Sequence, residues 1–149
     1  MITTETTEKV IDFQNVSSGY AERTLLQNVS FSIHKSEFVY LIGRTGAGKS
    51  SILKQIYGEM KPKSGKVVVS GYDIGNLKKK ETPYLRRKLG IVFQDFQLLP
   101  DRDVYENIRF ALRATGWTDK TRIKHKVTDV LVRVGLGAKL KSMPHQLSG

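Results

Sequence analysis

The sequence predicts an α/β fold, with an antiparallel β part, a central strand that runs directly into a helix, and a helical part. Three patterns support this prediction. Alternating apolar and polar residues dominate up to about residue 75, an unbroken apolar run occupies residues 38–42, and helical spacing dominates after about residue 95. Alternation is typical of half-buried strands, an unbroken run is typical of a strand buried on both faces, and spacing of three or four residues indicates helices.

In the N-terminal part, alternating apolar and polar residues predict short strands separated by turns. Residues 10–16 alternate and predict a half-buried strand, and residues 29–34 predict a second one. Residues 17–20 are rich in serine and glycine and predict a turn between them. Residues 67–69 predict a short buried strand, and residues 71–73 predict the turn that leaves it.

Local signals also define a short helix and one more strand in the middle of the chain. Thr82 is placed to cap a helix, with Pro83 at its first position, and the helix is predicted to run to about Lys88. Residues 91–93 form a short apolar run that predicts a buried strand ending at Gln94.

Two longer helices are predicted in the C-terminal part. Asp103 and Glu106 have the spacing of a capping box, and Thr118-Asp119 opens the last helix, which Gly135 ends. The apolar residues predicted to be buried are Val104, Ile108, Ala111 and Leu112 in the first helix, and Ile123, Val127, Val130, Leu131 and Val134 in the second.

The apolar run Phe38–Ile42 leads into a glycine-rich motif of the form G-x-x-x-x-G-K-[ST]. This motif, the P-loop, consists of Gly43, Arg44, Thr45, Gly46, Ala47, Gly48, Lys49 and Ser50, and Ser51 follows it. Its glycines allow a tight turn whose N–H groups converge on anionic oxygens, and the next helix adds the positive end of its dipole. Lys49 is expected to reach the β- and γ-phosphates of a nucleotide, and the Ser50 hydroxyl to bind Mg²⁺.

Bulk composition favours one soluble globular domain. The chain has 149 residues, 39% of them hydrophobic, and a mean hydropathy of −0.33. It lacks cysteine, which excludes disulfides and thiolate metal sites within it. We divide it into a tail at residues 1–9, a β-rich and P-loop part at 10–94, and a helical subdomain at 95–149. No signal peptide or membrane-spanning run is visible, which is compatible with the cytoplasm.

The net charge of +11 is concentrated in two clusters. The first comprises Lys78, Lys79, Lys80, Arg86, Arg87 and Lys88, and the second Lys120, Arg122, Lys124 and Lys126. Such clusters bind nucleic acid, anionic lipid heads or acidic partner loops, or they are simply solvated faces. No RNA-binding signature accompanies them, so we expect no nucleic-acid partner.

Three further features follow a fixed order around the P-loop. Tyr20 lies 23 residues before Gly43, Gln94 lies 45 residues after Lys49, and the chain ends at Leu147-Ser148-Gly149. This order resembles that of the ATP-binding subunits of ABC transporters. The resemblance implies an ABC-type nucleotide-binding domain with a RecA-like P-loop core. It also implies that ATP and Mg²⁺ are bound and that two subunits form a homodimer with ATP between them.

The resemblance assigns a role to each of these residues. Tyr20 would stack on adenine, Gln94 would contact Mg²⁺ and the attacking water as a catalytic residue, and Ser148 and Gly149 would contact the γ-phosphate on the partner subunit. The residues also have structural alternatives, because Tyr20 could be a turn aromatic and Gln94 a polar residue at a strand end.

The segment from residue 84 onward narrows the resemblance to one group of these ATP-binding subunits. Residues 84–102, followed by Val104-Tyr105-Glu106-Asn107, look like the FtsE family of cell-division ATP-binding subunits, which act with the membrane protein FtsX. The implied location is the inner face of the plasma membrane, through an FtsX-like integral membrane protein. Phe96, Leu98 and Leu99 are either core or an exposed groove for that partner. ATPases for lipoprotein release and macrolide export are close alternatives.

The family pattern continues beyond the signature motif, which begins at Leu147-Ser148-Gly149, with a Walker B Asp, a catalytic Glu and a switch His, for which this sequence has no positions. We therefore expect the 149-residue chain alone to be poorly soluble and to show no ATPase turnover. A non-hydrolytic nucleotide-binding fragment is the remaining alternative.

Overall fold

The computed structural model describes residues 8–20 and 23–147, excluding the side chains of Tyr20 and Arg23. The chain is organised in two units, residues 1–90 and residues 91–149. Each unit has its own cluster of buried apolar side chains. The first contains all the strands among the described residues, and the second contains only helices and connecting segments.

The first unit is built on a four-stranded antiparallel sheet with the order β2-β1-β3-β4. Its strands are β1 (Lys9–Tyr20), β2 (Arg23–His34), β3 (Ser64–Val69) and β4 (Tyr72–Asp73). The turn predicted at residues 17–20 is wrong, and the turn predicted at residues 71–73 is confirmed only at Gly71, which has turn structure and a φ of 83°. Residues 17–20 extend β1, because their backbone pairs with β2 up to Tyr20 opposite Arg23. Two of the three residues at 71–73 pair with the end of β3.

A bulge near the middle of β1 changes which residues face the core. Asn15 has a φ of 49°, and the register with β2 shifts between Phe13 and Val16. Phe13 and Val16 are therefore both buried, although they are three residues apart, while Asn15 is exposed. Asn15 donates its backbone N–H to Ser30 Oγ at 2.8 Å, so the bulged residue keeps a partner on β2.

The predicted strands at 38–42 and 91–93 are wrong, since neither segment has strand structure. Phe38, Ile42 and Val92 are 81%, 88% and 90% exposed. A strand is maintained by hydrogen bonds to a neighbouring strand, and no strand of the described residues pairs with either segment. These segments are apolar, as a buried strand requires, but no described strand pairs with them, so they do not form strands.

Two helices complete the first unit. The predicted helix after the glycine-rich motif is confirmed as α1 (Lys49–Ile56), and Gly58, with a φ of 70°, follows its end. The short helix α2 spans Thr82–Arg86, and its N-cap residue is Glu81 rather than Thr82. Leu85 anchors α2 in the core and is fully buried. The core of this unit consists of Phe13, Val16, Leu26, Ile52, Val67, Val69, Ile74, Leu77 and Leu85.

The second unit is a pair of capped helices, α3 (Val104–Ala114) and α4 (Lys120–Arg133). The Asp103 side chain accepts from the Glu106 N–H at 2.8 Å, and the Asp119 side chain accepts from the Arg122 N–H at 3.0 Å. Both predicted starts are thus confirmed to within a residue. Short 3₁₀ helices follow at Gly137–Lys139 and Pro144–Gln146.

The apolar stripes of these helices are narrower than predicted. Val104, Ile123, Val127 and Leu131 form the buried cluster. Val134 is 66% exposed because it is the C-cap residue of α4 and lies beyond the helical turn that packs. Ala111 is also exposed, since the packed stripe of α3 follows Val104, Ile108 and Leu112 at intervals of four. None of the helices in the described ranges has the length and apolar character needed to cross a membrane.

Candidate functional site

The glycine-rich motif forms a loop that ends in α1. Gly46 and Gly48 have φ values of 83° and 90°, which L side chains rarely adopt. Gly48 also lies against β2, because a Cβ at this position would be 2.5 Å from Leu26 Cδ2 and 3.2 Å from the Leu25 carbonyl oxygen. Residue 48 therefore has to be glycine for two reasons, its backbone angle and its close approach to β2.

The loop curves around the side chain of Lys49. Lys49 Nζ donates to the carbonyl oxygens of Gly43, at 2.7 Å, and Arg44, at 2.9 Å. An ammonium group has three donors, so these two bonds leave one for an external acceptor. Since the loop is exposed from Gly43 to Ala47, an anion can approach this donor from solvent.

The start of α1 has unused hydrogen-bond donors. Gly48 caps the helix without a side chain, and the first turn carries no acidic residue. The N–H groups of Ser51 and Ile52 donate to the Gly48 carbonyl, whereas those of Lys49 and Ser50 have no acceptor in the described part of the chain. Free N–H groups and the positive end of the helix dipole favour an anion here.

A buried polar contact joins α1 to β1, and the sequence analysis missed it. Gln55 Nε2 donates to Ser18 Oγ at 2.9 Å, and both residues are fully buried. Gln55 Oε1 accepts no hydrogen bond from the described residues. The sequence signal was a glutamine one helical turn after Ser51 on the face that packs, where an apolar residue is usual.

An ion pair holds the C-terminal end of α1. Lys54 and Glu59 form an ion pair with an N–O distance of 3.0 Å. The hydrogen bond from Lys54 holds the pKa of the Glu59 carboxyl below its usual range, while burial raises the pKa of Tyr57. These contacts fix the turn after α1 and involve none of the motif residues.

Gln94 lies in the second unit, in an exposed connecting segment rather than at a strand end. The residues after it have an uncommon backbone, because Phe96 and Gln97 have φ values of 56° and 48°. This conformation leaves Phe96 60% exposed and Leu98 49% exposed, while Leu99 is half-buried. Two apolar side chains of this segment therefore face solvent.

Asn107 on α3 holds the end of this segment, and the sequence analysis assigned it no such role. Its Oδ1 accepts from the Leu99 N–H at 2.8 Å. Its Nδ2 lies 3.1 Å from the Leu99 carbonyl oxygen, 3.0 Å from that of Arg102 and 3.1 Å from that of Asp103. One amide thus binds both backbone groups of Leu99 and the turn that precedes α3. A polar residue between apolar helix positions was the available signal.

Three of the residues predicted to bind ATP lie wholly or partly outside the described residues. Tyr20 ends β1, but its side chain is not described, and Ser148 and Gly149 lie beyond residue 147. Arg44, Thr45 and Ala47 form the exposed turn of the loop, Ser50 is exposed and Ser51 is buried. The assignment of these residues and of Gln94 to one ATP site stays a prediction.

The first turn of α1 fits the requirements of a nucleotide-bound Mg²⁺ ion. Mg²⁺ commonly keeps several waters and uses phosphate oxygens with one or two protein oxygens. The Ser50 hydroxyl is exposed beside the free N–H groups and offers one such oxygen. Among the described residues no group of three His, Asp or Glu side chains could form an all-protein metal site.

A glycine loop that curves around a lysine, at a helix start with free donors, is the arrangement expected of a phosphate-binding P-loop. Residues 26–149 match the protein family described as ABC transporter, and the chain belongs to that family.

The relatives in this family include cell-division subunits. The chain is 44% identical over 141 residues to the cell division ATP-binding protein FtsE of Escherichia coli (strain K12), covering 94% of this chain and 63% of that protein. It is 43% identical to FtsE of Bacillus subtilis (strain 168), covering 61% of it. These findings confirm the FtsE-like resemblance. The chain spans about three-fifths of the length of these relatives.

Solved structures support the fold. A dimeric bacterial ABC transporter cassette matches with a TM-score of 0.81 at 31% identity, over 93% of this chain and 63% of that one. A dimeric ATP-binding cassette in a post-hydrolysis state, bound to ADP and Pi, matches with a TM-score of 0.79 at 29% identity, with the same coverage. The ABC-type α/β fold predicted from the sequence is confirmed.

Proposed function

We propose that this chain is the ATP-binding part of an ABC ATPase subunit that acts in bacterial cell division with an FtsX-like membrane protein. The nucleotide-binding part of the proposal rests on the arrangement of Lys49, the loop carbonyls and the free N–H donors of α1. The similarity to FtsE supports the division part.

In the proposed site, each residue of the loop has a separate task. The N–H groups of Lys49 and Ser50 bind phosphate oxygens, and the Lys49 ammonium contributes its remaining donor to the β- and γ-phosphates. Gly46 and Gly48 let the backbone curve closely enough for these donors to converge. A bound Mg²⁺ would neutralise phosphate charge, with the Ser50 hydroxyl as one ligand and Gln94 as a second.

Hydrolysis and dimerisation belong to the intact protein in this proposal. Two subunits enclose ATP head to tail, with Ser148 and Gly149 of one subunit facing the γ-phosphate held by the other. Gln94 orients the attacking water. A dimeric neighbour structure that holds ADP and Pi supports this arrangement. Closure of the dimer would then transmit force to the membrane partner.

The segment after Gln94 is the surface we propose for that partner. Phe96 and Leu98 are exposed, and Asn107 holds the end of their segment through Leu99. An apolar side chain on a fixed segment loses little entropy on binding and is suited to a hydrophobic helix of a partner protein. The partner would cover both side chains.

A capture experiment tests this surface. In the natural gene product, Phe96→Ser with Leu98→Ser should lower co-purification with the membrane partner by roughly tenfold or more, because two apolar contacts of about 1–3 kcal/mol each are removed. Nucleotide affinity should be unchanged. The matched control is Phe110→Ser with Val132→Ser, which alters two apolar residues of similar exposure on α3 and α4. Equal loss in both variants would refute the docking role of the segment.

A second function within the same family has support of its own. The methionine import ATP-binding protein MetN of Helicobacter pylori (strain J99 / ATCC 700824) is 39% identical over 94% of this chain, covering 43% of that protein. Similarity of nearly this strength therefore extends to a transporter ATPase, so a transport role stays the alternative, with the lipoprotein-release and macrolide-type exporters named above as its candidates. The identity of the membrane protein that co-purifies with the natural gene product separates the alternatives.

Tyr20 provides a test of adenine recognition. Stacking of a base on an aromatic ring contributes about 1–3 kcal/mol, so Tyr20→Ala should weaken ATP binding by up to about a hundredfold. Tyr20→Phe should retain most of the affinity, because the ring is preserved. Calorimetric titration with ATP measures both variants, and an unchanged affinity in Tyr20→Ala would remove Tyr20 from the site.

A further inference from the structure

The most concentrated charge of the chain lies outside the nucleotide-binding loop, in residues 78–88, which we name the basic segment. It carries six basic residues and one acidic residue within eleven positions, and all six are exposed. The basic residues are Lys78, Lys79, Lys80, Arg86, Arg87 and Lys88. Neither the loop chemistry nor the proposed partner contact at Phe96 and Leu98 uses them.

The basic segment lacks the carboxylates that pair with cations elsewhere. In the described ranges, ion pairs with Asp or Glu are formed by Lys9, Lys35, Lys54, Arg109, Lys126, Arg133 and Lys141. None of the six residues of the basic segment forms such a pair with any described residue. Its single acid, Glu81, is half-buried and accepts the Lys78 N–H at 2.9 Å. The positive charge is therefore left facing solvent.

The segment is also firmly attached to the core. Leu85 is fully buried between the ends of the segment, and Arg86 Nε donates to the Tyr57 carbonyl oxygen at 3.1 Å. The Arg87 guanidinium lies 5.2 Å from the centre of the Tyr84 ring, and Tyr84 is 56% exposed. Tyr84, an amphipathic aromatic residue, thus lies among exposed basic residues on a surface that is fixed to the core.

We propose that the basic segment binds the surface of a membrane that contains anionic phospholipids. Clusters of four to eight Lys and Arg residues are attracted to such surfaces, and a tyrosine is suited to the headgroup region. Lysine ammonium groups act as point charges that suit a fluid layer of phosphates. Single-stranded nucleic acid requires several stacking aromatics in addition, and the segment has only Tyr84. The contact would orient the subunit at the membrane before its protein partner engages.

Vesicle sedimentation tests the proposal without nucleotide and without the membrane partner. The natural gene product should sediment with vesicles of phosphatidylcholine that contain about one-third phosphatidylglycerol, and not with phosphatidylcholine alone. Binding should weaken as salt is raised, because the charges are exposed and therefore screened. Since the nucleotide site takes no part, failure of this test would leave the proposed ATPase function untouched.

Two charge-matched variants locate the surface. The first carries Lys78→Gln, Lys79→Gln, Lys80→Gln and Lys88→Gln, and the second carries Lys120→Gln, Lys124→Gln, Lys126→Gln and Lys139→Gln. Each removes four positive charges from exposed positions, and circular dichroism verifies that both remain folded. The first should lose on the order of a hundredfold in partitioning, at roughly fivefold per lysine with allowance for screening, and the second less than about tenfold.

Three results would overturn the proposal. They are no binding to phosphatidylglycerol vesicles, equal losses in the two variants, and binding to a DNA duplex at the same salt without binding to vesicles. Tyr84→Ser provides a further comparison, with a several-fold loss expected. Unchanged partitioning of this variant would remove the aromatic part of the proposal.

Discussion

Replacement of Lys49 by alanine is expected to lower ATP affinity by roughly 30- to 150-fold. The change removes a charge-assisted hydrogen bond to phosphate, which is worth about 2–3 kcal/mol. It also leaves the carbonyl oxygens of Gly43 and Arg44 without the donor that holds the loop in its curve. Calorimetric titration of the natural gene product with ATP measures the loss directly.

The matched control for this change lies on the same helix. Lys54→Ala also removes one positive charge from α1, but Lys54 pairs with Glu59 at the far end of the helix. Its effect on ATP affinity should be below about 0.5 kcal/mol, since it is away from the loop. If the two variants lost the same affinity, only the net charge of α1 would matter, and the proposed role of the Lys49 ammonium would be wrong.

Replacement of Asn107 by alanine is expected to destabilise the second unit by about 2–3 kcal/mol. The Asn107 amide has two hydrogens shared among three carbonyl oxygens, and its own oxygen accepts the Leu99 N–H. With alanine at position 107, these half-buried backbone groups lose their hydrogen-bond partner and have to bind water instead. Hydrogen exchange at residues 95–107 should become at least about tenfold faster, since 1.4 kcal/mol corresponds to a factor of ten.

Two controls accompany the Asn107 prediction. Asn107→Asp keeps the acceptor for the Leu99 N–H but loses the donors, and should therefore lose only part of the protection. Asn76→Ala removes an exposed amide that donates to Asp73, and should leave exchange at residues 95–107 unchanged. Wild-type exchange in Asn107→Ala would show that the four contacts contribute nothing measurable to this segment.

Features set by neighbouring residues were predictable from the sequence. The caps at Asp103 and Asp119 depend on a carboxylate and an N–H three residues later, and both are present. The glycine-rich loop depends on the backbone freedom of Gly46 and Gly48, and its helix begins where the pattern placed it. The candidate phosphate site was predictable for the same reason.

Features set by distant residues were not predictable. The apolar run at 38–42 predicted a strand, but a strand also needs a partner, and hydropathy carries no information about which residues pair. Residues 17–20 looked like a turn, whereas pairing with β2 draws them into the sheet. The contacts of Gln55 with Ser18 join positions 37 residues apart, so no local pattern could reveal them.

The contact between Gln55 and Ser18 has a consequence for the rotational setting of α1. Apolar side chains such as Ile52 attract without direction, so a helix held by them alone can turn about its axis at little cost. A hydrogen bond has a direction and fixes that angle. Gln55 Oε1 has no partner among the described residues, which costs about 1–3 kcal/mol. An apolar side chain at position 55 would avoid that cost but would leave the buried Ser18 hydroxyl without its donor. The helix would also lose its fixed rotation about its own axis, and this rotation sets the direction of the N–H donors in its first turn.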